Sequence, residues 1–357
     1  MIAPMVSVLV PCYGDVHLLE RSVPRLLASA GVQLEVVLLN NDTTQAEGVR
    51  RLVVSWQDER VRVLELEHGA GFAKALNAGV ASSGGELVFF ANSDLFVTDT
   101  YLGELVQFFA AHPRAGCATG KILGYDLALD RETAVLDTTG IVIGRDRGAS
   151  DRGQNEPDTG RYEQEEQVFG CSGAAFMTRR EALESVAIEG EWLDETFFMY
   201  KEDVDLSWRL RLAGWECWYV PRALAYHART SSEPAGVGSF HRNERLKPRH
   251  VRVHSMKNQW LLLVKNDDRA NLLRDLPFVA IRESLVLAYN TFTAPGITYD
   301  AVRGFAQSFP KARRKRRAIK ARQSVSPADL RRWFRRRSQS TAVLFGRRDD
   351  RLPTHPR

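Results

Sequence analysis

Up to about residue 111 the chain alternates short apolar runs with helix-forming stretches, and this alternation restricts its fold more than any other feature. VSVLV at 6–10 is strand-like and is followed by a helical stretch over 17–30 that Gly31 stops. LEVVLLN (34–40), VRVLELE (61–67) and ELVFFAN (86–92) repeat the strand signal. Between them lie GVRRLVVSW (48–56) and FAKALNAGVASS (72–83), and a further helix is expected around 101–111. Strands separated by single helices predict βαβ units, a parallel sheet and right-handed crossovers. Such a sheet binds ligands outside the carboxyl ends of its strands.

Past Gly116 the pattern loosens. Residues 124–167 are rich in Asp, Arg, Gly and Glu and read as largely loop. VFGCSGAAFMT (168–178) reads as a buried strand, and WECWYVP (215–221) and ALAYH (223–227) as two short ones. From about 240, apolar residues recur at helical spacing (Trp260, Leu261, Val264; Leu285, Val286, Tyr289), broken by Pro277 and Pro295, which predicts a second, helical region. No run of 18 apolar residues suits a transmembrane helix. The N-terminus MIAPMVSVLVP lacks the basic region of a signal peptide. Cys12, Cys117, Cys171 and Cys217 form no CxxC pair and read as free thiols in a reducing cytoplasm.

The net charge of +5 conceals residues 311–337, which hold thirteen Lys/Arg and one Asp. The preferred reading of this basic tail is contact with an anionic membrane surface, with Trp333 and Phe334 inserted at the interface. A solvated tail is the alternative. Nucleic-acid binding would call for more interleaved aromatics, so no specific nucleic-acid partner is expected.

The usual phosphate signatures fail. Gly69-Ala70-Gly71 has Lys74 where GxGxxG needs its last glycine, and GCATGK (116–121) is one residue short of a P-loop and is followed by Ile122. GCSG (170–173) lacks the spacing of a nucleophile elbow. What remains is a set of polar residues at strand ends: Pro11-Cys12-Tyr13-Gly14, Asn40-Asn41-Asp42-Thr43 and Asn92-Ser93-Asp94. Each alone is equally a turn or a cap. All three at one edge are harder to read so, and Asp94, beside Asn92 and Ser93 at the end of a buried strand, suits a divalent cation that also takes diphosphate oxygens. FFMYKEDVDLSWRLRLAGW (197–215) sets Glu202, Asp203 and Asp205 between aromatics and arginines. Its apolar residues alternate as in a strand, yet its composition, a capping Asp203 and Gly214 at the C′ position select a helix with two apolar stripes between layers. Asp205 and Arg209, four apart, are expected to form an ion pair.

The ordered motifs VSVLVPCYG, EVVLLNNDTT, GFAKALNAG, GELVFFANSD, FGCSGAAFMTRREAL and FFMYKEDVDLSWRLRLAGW, followed by AYHARTSS, resemble the inverting glycosyltransferases of family 2 over about residues 5–230. Within that family the chain is most similar to bacterial rhamnosyltransferase-like enzymes. The resemblance implies an α/β, nucleotide-sugar-binding GT-A fold over 1–235, a helical C-terminal region over 236–310 and the basic tail over 311–357. It assigns Pro11, Tyr13, Asn40, Asn41, Lys74, Asn77, Asn92 and Ser93 to nucleotide-sugar binding. Asn40 and Asn92 each stand where the family usually has Asp. Asp94 and His227 are the implied ligands of a divalent metal, Mg or Mn. Asp203, with Glu202 beside it, is the implied base that deprotonates the acceptor hydroxyl. The implied donor is a UDP- or dTDP-sugar, the acceptor a glycan or lipid-linked glycan, and the location cytoplasmic, at the inner face of the membrane if the tail binds there. Two other readings are a sugar nucleotidyltransferase, whose glycine-rich basic loop PCYGDVH does not supply, and a binding-only relative, against which Asp94 and Asp203 both stand.

Overall fold

In the computed structural model, which describes residues 4–229 and 247–335 (of Arg335 the backbone alone), the expected βαβ series is present. Strands β1 (Val6–Cys12), β2 (Leu34–Asn40), β3 (Val61–Glu65) and β4 (Leu87–Ala91) alternate with helices α1 (Val16–Leu27), α2 (Ala46–Trp56) and α3 (Phe72–Ser82). All four strands are parallel, in the order β3-β2-β1-β4. Val6, Val8, Leu9 and Val10 of β1 are fully buried because helices cover both faces of the sheet.

Beyond β4 the sheet turns mixed. Short β5 (Leu95–Val97) leads into α4 (Tyr101–Ala111), then β6 (Ala115–Asp126) and β7 (Arg131–Thr138). A separate small sheet is built on β8 (Ile141–Gly144) and β9 (Ala149–Asp151). After β10 (Glu166–Gln167), β11 (Ala175–Arg179) inserts antiparallel between β4 and β6, and the long β12 (Glu216–His227) runs parallel to β6. Three expectations are corrected here. Residues 115–138 pair as strands despite their Gly, Asp and Arg content, because long-range ladders override local propensity. Only 175–179 of the 168–178 run is strand. The two short strands 215–221 and 223–227 are one, with an irregularity between Val220 and Leu224.

Helix α5 (Arg180–Val186) precedes α6 (Glu202–Leu212), which carries the acidic cluster. The two stripes of α6 part as expected. Leu206 and Leu210 face the sheet, whereas Val204, Trp208 and Leu212 face the C-terminal helices. Gly214 follows with φ +89°, a C′ conformation that suits glycine. Asp203 does not cap the helix from outside. It sits within the first turn, and Lys201 is the N-cap residue.

The C-terminal region consists of α7 (Arg249–Asn266), α8 (Arg269–Thr293), α9 (Pro295–Ala321) and a short α10 (Pro327–Arg331) leading to β13 (Phe334–Arg335). Pro277 does not interrupt the helices. It lies on the exposed side of α8, where the carbonyl it leaves unbonded stays accessible to solvent. Pro295 instead opens α9 at its first position.

Much of the expected basic tail is folded. Residues 311–321 continue α9, and Lys315 is buried between Asp194 (2.7 Å) and Glu191 (2.6 Å). Phe334 is buried against Trp208 and under the Arg147 guanidinium, and Arg211 stacks on Trp333 at 3.9 Å. Burial against the protein takes Phe334 out of reach of a lipid interface, which corrects the insertion of that pair. Residues 336–357 lie outside the described part of the chain.

Candidate active site

The site is assembled at the carboxyl edge of the sheet. Just past β4, the peptide N–H of Asn92 donates to the carbonyl of Ala174, and the next residue back, Gly173, donates its N–H to Asp203 Oδ2 at 2.8 Å. Two consecutive residues of the 168–174 segment thus tie Asn92-Ser93-Asp94 to the start of α6. A Cβ at Gly173 would stand 3.3 Å from that carboxylate oxygen, close enough that the side chain of Asp203 would have to give way.

Asp203 is half-buried, and its Oδ1 accepts from the Val204 N–H at 2.7 Å. Burial raises its proton affinity above that of an ordinary carboxylate, against the two backbone N–H donors. Glu202 is buried deeper. Its Oε2 has no partner, and burial, reinforced by the charge of Asp203, raises it as well. Asp205 has a separate role. It is fully buried and accepts from Arg209 Nε (2.9 Å), Lys265 Nζ (2.8 Å) and Asn266 Nδ2 (2.8 Å), so the expected ion pair forms within a larger network.

The turn ahead of α6 is strained. Phe198, Tyr200 and Lys201 all have positive φ, between 65° and 68°. Such backbone persists only where its surroundings enforce it. The enforcing group is Asn258 of α7, whose Nδ2 lies within 3.0 Å of the carbonyls of Phe197, Met199 and Tyr200. Lys257 adds a bond to the Thr196 carbonyl, and Lys201 Nζ donates to Gln259. The C-terminal helices therefore hold the turn that carries the acidic pair, a role with no local sequence signal.

At the sheet edge, Asp94 Oδ1 lies 3.0 Å from His227 Nε2, and the other ring nitrogen of His227 lies 2.9 Å from Asp137 Oδ2. Burial alone would lower the pKa of His227. The Asp94 charge and the two carboxylate hydrogen bonds outweigh it and push it up to about 9. Arg229 bridges Asp137 and Asp151. Asn92 Nδ2 also approaches His227 Nε2 at 3.3 Å. Ser93 Oγ donates to Asp15, a half-buried carboxylate raised chiefly by desolvation, which the sequence reading missed.

These side chains suit a divalent ion only once the ion displaces the proton that His227 shares with Asp94. A carboxylate and an imidazole stand together, with Asp137 orienting the ring from behind, as carboxylates do for metal-ligating histidines. Among the described residues no cluster of three or more His, Cys, Asp or Glu could hold a metal. An ion held by two such side chains would take its other positions from water and diphosphate oxygens.

The side where a nucleotide is expected is less uniform. Pro11 is half-buried at the end of β1. Tyr13 is exposed, 3.3 Å from His68 Nε2, and His68 Nδ1 reaches Asp42 at 3.2 Å. Those three form one wall, in which His68 was unforeseen. Asn41 receives the Ala70 N–H and fixes the loop ahead of α3. Asn40 is buried and engaged at both ends, by Glu65 (2.6 Å) and the Asp42 N–H (3.2 Å). Asn77 gives both ends of its amide to the 193–195 segment, so it braces the approach to α6. Lys74 is exposed and paired with Glu67. The structure brings Asn92, Ser93, Asp94 and His227 together and gives Asn40 and Asn77 internal partners instead.

Comparison with known proteins follows the same lines. The O-antigen biosynthesis protein RfbC of Myxococcus xanthus is 30% identical over 213 residues, 59% of this chain and 16% of that protein. The N-acetylglucosaminyl-diphospho-decaprenol L-rhamnosyltransferase of Mycobacterium tuberculosis is 28% identical over 266 residues, 67% of this chain and 81% of that protein. A poly-beta-1,6-N-acetyl-D-glucosamine synthase of Staphylococcus epidermidis is 22% identical over 224 residues, 62% of this chain and 49% of that protein. The chain thus spans less than half the length of RfbC and of the synthase. The solved mannosyltransferase of Pyrobaculum calidifontis, in complex with GDP-Man and Mn2+, superposes with a TM-score of 0.51 at 15% identity, over 96% of this chain and 85% of that one. That likeness shows the GT-A fold. The model of the glycosyltransferase-like family 2 matches residues 3–250, from β1 to the first turn of α7, and the chain belongs to that family.

Proposed function

We propose that the protein transfers a sugar from a nucleoside-diphosphate sugar to an acceptor hydroxyl with inversion, using Asp203 as the base. The observation that carries this reading is the pair of adjacent bonds in which Gly173 donates to Asp203 and the Ala174 carbonyl accepts from Asn92, which keeps a carboxylate of raised proton affinity beside the Asn92-Ser93-Asp94 edge. A base in that position takes the proton of the acceptor hydroxyl as its oxygen attacks the anomeric carbon. Asp94 and His227 would hold a divalent ion, Mg or Mn, which when bound supplies charge stabilisation to the departing diphosphate. The Tyr13–His68–Asp42 wall would receive the nucleoside, a role supported by its exposed aromatic face at the end of β1.

Rhamnose is the favoured sugar and a lipid-linked glycan the favoured acceptor, supported by the decaprenol-linked rhamnosyltransferase at 28% identity. The test is a screen of UDP-, dTDP- and GDP-sugars for binding and for slow donor hydrolysis, with and without Mn2+. Metal-dependent binding of one donor supports the reading. Failure of every nucleotide sugar to bind would defeat it.

A further inference from the structure

Helix α8 is inside out. A helix of a soluble protein normally turns its apolar side to the core and its polar side to water. On α8 three of the four buried side chains are polar: Asn271, Asp275 and Asn290, beside Val279. Asp275 is held by Arg145, Arg147 and Arg331, Asn271 donates to the Pro327 carbonyl, and Asn290 accepts from Arg252. The outward side is apolar: Leu276, Phe278, Ile281, Leu285, Leu287 and Phe292 are exposed, Phe292 by 88%. No exposed charge interrupts that face from residue 276 to 293, a length of about 27 Å at 1.5 Å per residue. Helix α9, which packs against α8, also exposes Tyr299, Val302 and Phe309. An exposed apolar surface of this extent marks an interaction site.

Charge chooses the occupant. Every exposed charged side chain between residues 269 and 321 is an arginine: Arg269, Arg274, Arg303, Arg313, Arg314 and Arg317. A second copy of the chain would bring the same arginines to the contact, and the most exposed carboxylate of this region, Asp300, is already paired with Arg249. An anionic lipid surface meets both features, since it takes apolar side chains at the headgroup boundary and attracts arginines around them. Among the described residues no helix is long and apolar enough to cross a membrane, so the contact lies along the surface.

We propose that α8, continued by the outward stripe of α9, seats the protein on an anionic membrane. Arg282, on the inner side of α8, packs on Gly148 of the β8–β9 turn, and Asp151 of β9 pairs with Arg229, so the helix that would be seated is tied to the small sheet that reaches Arg229. That the seat serves a lipid-linked acceptor rests on the proposed transfer; the seat itself does not.

The test is co-sedimentation of the full chain with phosphatidylcholine vesicles, with and without phosphatidylglycerol, for the wild type and for Ile281→Glu combined with Leu285→Glu. Both positions are exposed, so the thermal midpoint and nucleotide-sugar binding should be unchanged. The wild type should bind the anionic vesicles. The variant's partition coefficient should fall about 100-fold, since burial of each such side chain is worth roughly tenfold or more. Absence of wild-type binding, or a variant that binds as the wild type does, would overturn the proposal. So would a wild-type dimer, dissociated by the variant, with neither form sedimenting. Loss of sugar transfer with vesicle binding intact would count against the proposed function alone.

Discussion

Asp203 and Asp205 stand two residues apart on one helix, yet under the proposed function their surroundings give them opposite tasks, and Asp205→Asn tests that division. The wild-type carboxylate is fully buried and receives Arg209, Lys265 and Asn266. An amide keeps one acceptor but points an N–H group at donors on its other side. Removing one partner of a buried ion pair typically costs about 3–5 kcal/mol. The lower end applies here, because Lys265 retains Asp194 and Arg209 retains the carbonyls of Val186 and Trp192. At about 2 °C per kcal/mol for a chain of this size, the thermal midpoint should drop by roughly 6 °C.

The deficit should depend on pH. Burial would raise the Asp205 pKa, but the charges of Lys265 and Arg209 prevail and hold the carboxyl below its usual range. Its stabilisation is therefore complete above the unfolded value of about 3.9 and is lost as pH falls through the lower folded value. The gap between variant and wild type should persist at pH 5–7 and narrow only below about pH 4. Thermal melts across pH, with turnover measured well below the midpoint, check both statements. Lost turnover with an unchanged midpoint would refute the division of roles.

EDTA should abolish transfer and Mn2+ or Mg2+ restore it, while Asp94→Ala should not be rescued by added metal; full activity in EDTA would remove the ion from the account. Asn258→Ala should release the strained turn before α6, lowering stability by about 1–3 kcal/mol and turnover with it, while nucleotide-sugar affinity, measured by titration, changes little. Because Asp203 is raised by burial, turnover should fall on the acid side at a pH above the ordinary carboxyl value of about 3.9, visible in a kcat–pH profile.

The part of this molecule that repeats locally was legible from its residues. The strand–helix alternation up to α4, the two stripes of α6 and the polar strand ends all follow from periods of two and 3.6 and from turn chemistry. What escaped notice depends on partners distant in the chain. Asp137 lies 90 positions from the histidine it orients, on a strand whose composition looks like loop. Asn258 reaches 58 to 61 positions back to hold a turn with no consensus of its own. Asn40 and Asn77 sit where motif position suggests ligand contact, yet each is absorbed by neighbours visible only in space. The basic segment misled for a related reason. A run of Lys and Arg normally means solvent, but Asp194 and Glu191, more than a hundred positions earlier, draw Lys315 into the core.

The central claim is that the carboxylate of Asp203 accepts the acceptor's proton, and Asp203→Asn tests it most directly. The amide oxygen can keep the Gly173 bond or the Val204 bond but not both, so stability should fall by only about 1 kcal/mol. Turnover should fall by ~10²–10⁴-fold, the usual loss when a general base is removed, while donor affinity measured by titration calorimetry stays close to wild type. Wild-type turnover in a folded, donor-binding Asp203→Asn protein would contradict the account.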